Sequence, residues 1–246
     1  MIFITIMFLG LPGSSKTCNA VKWMLTEGRN LKTYSNIVTY GVPNNIPINS
    51  SMIIKKEVIR QKKNGEAIFK SELNKEFWME LKEPVNVIID EAHSVLFNSR
   101  RAMTKNNIIA SDWLAMIRRV LGEASFGTGE LILISQLSRR LDIIAKEMTH
   151  QIRYFKCHYS KICKKCNTSW NENNEMPEKI WECPRCGSDK ITKFNFQNEV
   201  LHFQGIEDFQ AWKECGYPSF YSHYMVTDIE KYFNKYNTLQ GENLFD

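Results

Sequence analysis

Three stretches of the chain are apolar almost without interruption: "IFITIMFLG" (2–10), "VNVII" (85–89) and "LILIS" (131–135). Continuous apolar runs of this length, rich in β-branched and aromatic residues, predict strands buried on both faces of a parallel sheet. Between them the pattern turns helical. "TCNAVKWMLTE" (Thr17–Glu27) predicts a helix with Gly28 as its stop. "SELNKEFWMEL" (Ser71–Leu81) predicts an amphipathic helix, broken from the next strand by Pro84. "SDWLAMIRRVLG" (Ser111–Gly122) places Trp113, Ile117 and Val120 or Leu121 on one face, and "LSRRLDIIAKEMTHQI" (137–152) again reads as helix. "RNLKTYSNIV" predicts a second strand ending near Asn36, and "YGVPNNIPINSS" a turn-rich loop. Strands alternating with helices imply the α/β class, with a central, mainly parallel sheet and right-handed crossovers.

Beyond about residue 151 the pattern changes. "IRYFKCHYS" and "ITKFNFQNEVLHF" alternate in polarity and predict two strands of a hairpin, with a cysteine-rich loop between them. This divides the chain into an α/β domain (1–155), a small insertion on a hairpin (156–194), and a C-terminal strand and aromatic tail (195–246). The tail aromatics are expected in core packing or in an oligomer contact, and His202 and His223 in structural roles.

Composition changes this picture little. The 246 residues suffice for one large domain with an appendage, and 43% apolar and 24% charged residues are ordinary for a globular protein. The net charge of +5 is compatible with nucleic acid without demanding it. No apolar run reaches the ~18 residues of a membrane span. The apolar N-terminus lacks a basic flank and runs straight into a glycine loop, as a buried strand does and a signal peptide does not. Seven cysteines, four of them in two C-x-x-C pairs, suggest a reducing compartment and a metal site. A cytoplasmic location is expected.

The candidate chemistry lies at the strand ends. "GLPGSSKT" (Gly10–Thr17) follows the first strand and opens the first helix. It fits the phosphate-loop pattern G-x-x-x-x-G-K-[ST] except that Ser15 stands where glycine is expected. In the phosphate-binding set Gly10, Pro12, Gly13, Ser14 and Ser15, the backbone N–H groups of the non-proline residues would cradle phosphates, Pro12 and Gly13 suit the tight turn, and the helix N-terminus adds a favourable dipole. Lys16 would reach the β- and γ-phosphates of ATP, and the Thr17 hydroxyl would ligate Mg²⁺. Asp90 and Glu91 end the next apolar strand. There Asp90 is placed to hold Mg²⁺ and Glu91 to polarise an attacking water. Gln136, ending the third strand, is placed to sense the γ-phosphate or align that water. Each piece alone has a plainer reading: a glycine turn, a helix-capping pair, a buried hydrogen-bonder. Their order, each after an apolar strand, favours the nucleotide reading.

The order strand–"GLPGSSKT"–helix–"YSNI"–"VIIDEAH"–"RR"–"GELILISQ"–"RRLD" resembles the ATPase domain of the zonular occludens toxin family, which is related to HerA/FtsK-like DNA-pumping ATPases. The likeness covers roughly residues 1–155. It implies a P-loop NTPase fold, with Lys16 and Thr17 on phosphate and Mg²⁺, Asp90 on Mg²⁺, Glu91 as catalytic base and Gln136 as sensor. Related motors use an arginine from a neighbouring subunit, for which Arg100, Arg101, Arg118, Arg119, Arg139 and Arg140 are candidates. Filamentous-phage members usually carry a membrane segment after this domain. Its lack here points to a soluble viral or plasmid ATPase acting on DNA.

"CKKC" (Cys163, Cys166) and "CPRC" (Cys183, Cys186) have sixteen residues between them. That spacing predicts a tetrahedral Cys₄ site for structural Zn²⁺, with Gly187 supporting the second turn. Lys161, Lys164, Lys165, Arg185, Lys190 and Lys193, with Trp170 and Trp181, would give this zinc ribbon a basic, aromatic face for DNA or RNA. Protein docking or plain stabilisation is the competing role. Taken together, the expectation is an ATP-hydrolysing motor that moves or packages nucleic acid, working as a homo-oligomer, with a ring as its candidate form, beside viral or phage assembly proteins. The alternatives are a terminase- or helicase-like ATPase, of which a superfamily 2 helicase would need a second P-loop-like domain and a terminase a nuclease acid cluster, and a nucleotide-gated nucleic-acid adaptor with little turnover.

Overall fold

The computed structural model describes residues 4–61, 67–81, 83–95, 105–123, 129–136, 141, 143–178 and 180–241. Among these, nine strands form one sheet, whose main path runs β12-β11-β9-β1-β8-β7-β2-β4, with β10 paired to β9. The strands are β1 (Ile4–Leu9), β2 (Lys32–Ser35), β4 (Asn45–Pro47), β7 (Val85–Ile89), β8 (Glu130–Ser135), β9 (Gln151–Cys163), β10 (Ser169–Asn173), β11 (Ile191–Phe203) and β12 (Ser222–Val226). Two short pairs lie outside it: β3 (Ile37–Thr39) with β13 (Tyr236–Gly241), and β5 (Ile54–Gln61) with β6 (Ala67–Leu73).

β1 sits at the centre, parallel to β8 on one side and to β9 on the other. Its alternating side chains feed two separate cores. Met7 and Leu9 join the cluster of Trp78, Trp113, Leu114, Ile117, Val87 and Leu131, beneath α3 (Lys75–Met79) and α5 (Lys105–Glu123). Ile6 and Phe8 join the opposite cluster, with Cys18, Ala20 and Val21 of α1 (Lys16–Leu25), Ile132, and Ile229 of a 3-10 helix (Ile229–Lys235). Burial on both faces is why these strands are apolar throughout. The α/β fold with a mainly parallel sheet between helices therefore stands as expected. Within the described residues, no helix is long and apolar enough to cross a membrane.

Several boundaries differ from the sequence expectation. Ser71–Leu73 belongs to strand β6, and α3 begins only at Lys75, where Asn74 caps it by accepting from Phe77 N at 3.3 Å. The asparagine and the hairpin pairing Ile54↔Leu73 together stop the helix from extending backwards. In the segment 137–152, helix occupies Ile143–Glu147 (α6), and Gln151 and Ile152 already belong to β9. There, pairing with β1 outcompetes helical propensity. The loop after β3 contains β4, which pairs in parallel with β2, and then α2 (Ser50–Ile53), which Asn49 caps. α4 (Ala92–Val95) follows Glu91.

β9 and β11 are long strands that leave the parallel body and continue, antiparallel, to the cysteine knuckles. The four cysteines thus sit at the far end of a strand pair whose near end joins the sheet through β9, the neighbour of β1.

Candidate functional site

The phosphate-loop candidate joins the C-terminal end of β1 to α1. Ser14 N donates to Leu11 O at 3.1 Å and closes a turn. Gly10 is at φ +156, where an added Cβ would lie 2.5 Å from Phe155 O and 2.6 Å from Ser14 Oγ. Gly13 is at φ +77. Ser15 is also left-handed, at φ 59, and its side chain makes no capping bond to α1. This is the conformation for which glycine is preferred, and a serine holds it. The Ser15 hydroxyl donates to Cys157 Sγ at 3.7 Å.

The Lys16 ammonium folds across the loop. It donates to Gly10 O (2.9 Å), Leu11 O (3.1 Å) and Ser14 Oγ (3.2 Å). Burial pulls its pKa down to about 8, against the opposing pull of Glu91 and Asp90.

Asp90 directly follows β7. Its Oδ2 accepts from Thr17 Oγ1 at 2.7 Å and its Oδ1 from Glu91 N at 2.8 Å. Burial pushes the Asp90 carboxyl pKa up, and the Thr17 hydrogen bond opposes it. Asn36 fixes the backbone here: its Oδ1 accepts from Asp90 N at 2.7 Å and its Nδ2 donates to Asp90 O at 3.0 Å. Glu91 lies at φ 50. Its Oε1 accepts from Gln136 Nε2 at 2.9 Å, and its Oε2 lies 3.3 Å from His93 Nδ1. His93 Nδ1 also lies 3.2 Å from Ser135 Oγ, the last residue of β8. Lys16, Thr17, Asp90, Glu91 and Gln136 thus gather at the C-terminal ends of β1, β7 and β8, the edge where open α/β sheets take ligands. A hydroxyl and a carboxylate 2.7 Å apart form an all-oxygen pair suited to Mg²⁺.

Asn36, His93 and Ser135 complete this cluster, and sequence reasoning gave them no role. Asn36 and His93 lie inside the "YSNI" and "DEAH" segments, so their position was visible although their contacts were not. Of the arginine candidates, Arg100, Arg101, Arg139 and Arg140 lie outside the described residues. Arg118 and Arg119 lie on α5, with side chains outside them.

The second cluster is cysteine. The Sγ atoms of Cys163, Cys166, Cys183 and Cys186 lie within 4.8 Å of one another, with Cys163–Cys186 at 3.7 Å and Cys166–Cys183 at 3.5 Å. A tetrahedral Zn²⁺ with Zn–S of about 2.3 Å requires S–S separations of about 3.8 Å, so the four thiols fit zinc. Each knuckle is a tight turn: Lys165 N donates to Cys163 Sγ at 3.4 Å, and Gly187 N donates to Cys183 O at 2.9 Å with Gly187 at φ 67.

The basic face of this ribbon is smaller than the sequence suggests. Lys161 is buried, with Nζ 2.8 Å from Glu172 Oε2 and a further bond to Ile180 O, so its charge is spent inside the protein. Trp170 is tied to Glu172 by its indole N–H at 2.8 Å. Lys193 stacks on Tyr159, 4.4 Å from the ring centroid. Lys164, Lys165, Arg185, Lys190 and Lys193 are exposed, as is Trp181 at 72%. In the tail, Phe209, Trp212 and Phe220 pack around Phe203, whereas Tyr217 and Tyr221 are exposed. His202 Nε2 lies 3.1 Å from Tyr224 OH, and His223 Nε2 lies 3.2 Å from Glu199.

No protein-family model matches the chain, and no curated protein matches it significantly. Among solved structures, the genome packaging NTPase B204 from Sulfolobus turreted icosahedral virus 2, in complex with AMPPCP, aligns over 62% of this chain and 74% of that chain, at 16% identity and a TM-score of 0.37. The N-terminal domain of zonular occludens toxin from Neisseria meningitidis aligns over 96% of this chain and 100% of that chain, at 15% identity and a TM-score of 0.51. In fold, the chain is similar to that toxin domain, and it carries a four-cysteine cluster at the end of its long hairpin.

Proposed function

We propose that the chain is an ATPase that couples nucleotide hydrolysis to work on nucleic acid, most simply DNA, as a cytoplasmic homo-oligomer. One observation carries the nucleotide assignment: Thr17 Oγ1 donates to Asp90 Oδ2 at 2.7 Å, joining the phosphate-loop helix to the acidic end of β7. Chance glycine turns and capping acids do not bring a Lys-Thr pair and an Asp-Glu pair together from residues 73 apart.

In this reading, Lys16 turns from the carbonyls of Gly10 and Leu11 to the β- and γ-phosphates. Backbone N–H groups from Gly13 to Thr17 hold the remaining phosphate oxygens. Thr17 and Asp90 would hold Mg²⁺, which would supply positive charge beside the phosphates. Glu91 polarises the attacking water, and Gln136 keeps the Glu91 carboxylate aimed. An arginine from a neighbouring copy would complete the charge stabilisation. The resemblance to DNA-pumping ATPases and the exposed Lys164, Lys165, Arg185 and Lys190 support a nucleic-acid partner. Packaging of viral or mobile-element DNA is the specific form proposed, and the four cysteines hold Zn²⁺ as a structural ion.

Steady-state ATP hydrolysis with and without DNA, alongside light scattering on the same samples, tests the motor. Turnover that DNA stimulates, in an oligomer, is expected. A strict monomer under all conditions would sink the shared-arginine mechanism. ATP binding with no turnover would favour the adaptor.

A further inference from the structure

The phosphate-loop turn is held from outside its own element, by Asn198 on the long strand β11 and by Asn174 just past β10. Asn198 of β11, fully buried, donates Nδ2 to Ser14 O at 2.9 Å and to Lys156 O at 3.3 Å. Its Oδ1 accepts from Asn19 Nδ2 at 3.1 Å, and that same Nδ2 donates to Ser15 O at 2.9 Å. Asn174, just past β10, donates to Pro12 O at 3.5 Å while accepting from Cys157 N at 2.7 Å. Pro12, Ser14 and Ser15 are therefore each tied, directly or through Asn19, to residues more than 140 positions away. Ser15 is the member that needs holding, because an L-residue at φ 59 is strained where glycine is not.

We propose that Asn198 is a positioning residue for the phosphate loop: with Asn19 it pins the Ser14–Ser15 turn in the left-handed form that a glycine would adopt unaided. The affinity consequence rests on the nucleotide reading above; the positioning itself does not. Removing the Asn198 amide frees Ser14 O and releases Asn19 from one partner, so the turn loosens while the body of the sheet keeps its own ladder.

The test is hydrogen exchange on the full chain without nucleotide, followed segment by segment, in wild type, Asn198→Ala and Asn19→Ala, with titration of ATP into the same samples. Asn198→Ala is expected to speed exchange across residues 10–17 about tenfold and to leave β8 unchanged, the scale of one lost buried hydrogen bond. ATP affinity is expected to fall about tenfold, and Ser15→Gly placed on Asn198→Ala to recover most of it, since glycine takes that φ without help. A merely structural asparagine would loosen β8 as well and would gain nothing from Ser15→Gly. If Asn198→Ala does not fold, Asn19→Ala, which removes the side-chain ties to Ser15 O and to Asn198 Oδ1 while keeping the bond from Asn198 to Ser14 O, decides through the same exchange. Unchanged loop exchange in the folded variants, or no rescue by Ser15→Gly, overturns the proposal. A wild type that binds no ATP overturns the nucleotide reading, while loop exchange still decides this one.

Discussion

Gln136 Nε2 donates to Glu91 Oε1 at 2.9 Å, bridging the ends of two parallel strands that are neighbours in the sheet. The bond couples the sensor position to the carboxylate proposed as base. His93, 3.3 Å from the other carboxylate oxygen, restrains it from the opposite side. Gln136→Ala would leave Glu91 held from the His93 side alone, without touching the phosphate loop. Turnover is expected to fall by about ten- to a hundredfold, within the range general-base contributions span, with ATP affinity within about twofold of wild type. Separate measurement of kcat and Kd checks this; a change in affinity alone would place Gln136 on the nucleotide and not on the base.

Ser15→Gly removes a side chain from a left-handed residue at φ 59. The strain relieved is about 1–2 kcal/mol, and the glycine loses about 0.5–1 kcal/mol in chain entropy. The weak bond from the Ser15 hydroxyl to Cys157 is lost as well. A net gain of up to about 1 kcal/mol follows, or a Tm rise of about 2–4 °C for a chain of this size. Thermal unfolding reads it directly. A lowered Tm would mean that the serine contributes contacts outweighing its strain.

The four cysteines at the hairpin end should bind one Zn²⁺ per chain, measurable by metal analysis of the purified protein. Chelation is expected to unfold the ribbon, because so small a unit gains its folding energy from the metal. Protease cleavage between Cys163 and Cys186 should then appear, while α1 and β8 stay protected. Cys183→Ser should reproduce the effect. Full protection after chelation would assign the knuckles no structural ion.

His202 gives the acid dependence of stability a defined window. Burial, with the nearby Arg153 charge adding to it, lowers its pKa from 6.5 to about 4. The unfolded chain binds this proton first, so stability rises with pH across that interval. It is lost on acidification from about pH 6.5 toward 4. His202→Gln removes the titrating group. Its stability should fall less steeply than wild type between those pH values, as read by denaturant titration at stepped pH. Parallel slopes would mean that other groups set the acid limit.

What the sequence reveals and what it hides follow from the kind of interaction involved. β1, β7 and β8 are legible because burial on both faces forces a continuous apolar run, and the cysteine cluster because metal geometry enforces a spacing. The β5–β6 hairpin was missed because its side chains are largely exposed, with Val58, Ile59 and Phe69 each more than half exposed beside Lys55, Glu57 and Lys70. No buried face imprints a period on it. The strand that replaces the start of the helix expected at Ser71–Leu81 is set by pairing with β5, which a local pattern cannot contain. At the candidate site, the order of loop, acids and polar sensor was readable. The asparagine scaffold was not: Asn198 and Ser14 are 184 residues apart, and a single asparagine has no signature until the chain brings it to its partner.

ATP turnover by wild type beside Glu91→Gln, both shown to bind ATP, tests the central claim most directly. Glu91 is the proposed base, so the glutamine variant should retain nucleotide and hydrolyse it at least about a hundredfold more slowly. Equal rates, or a wild type with no turnover above the variant, would contradict the ATPase assignment.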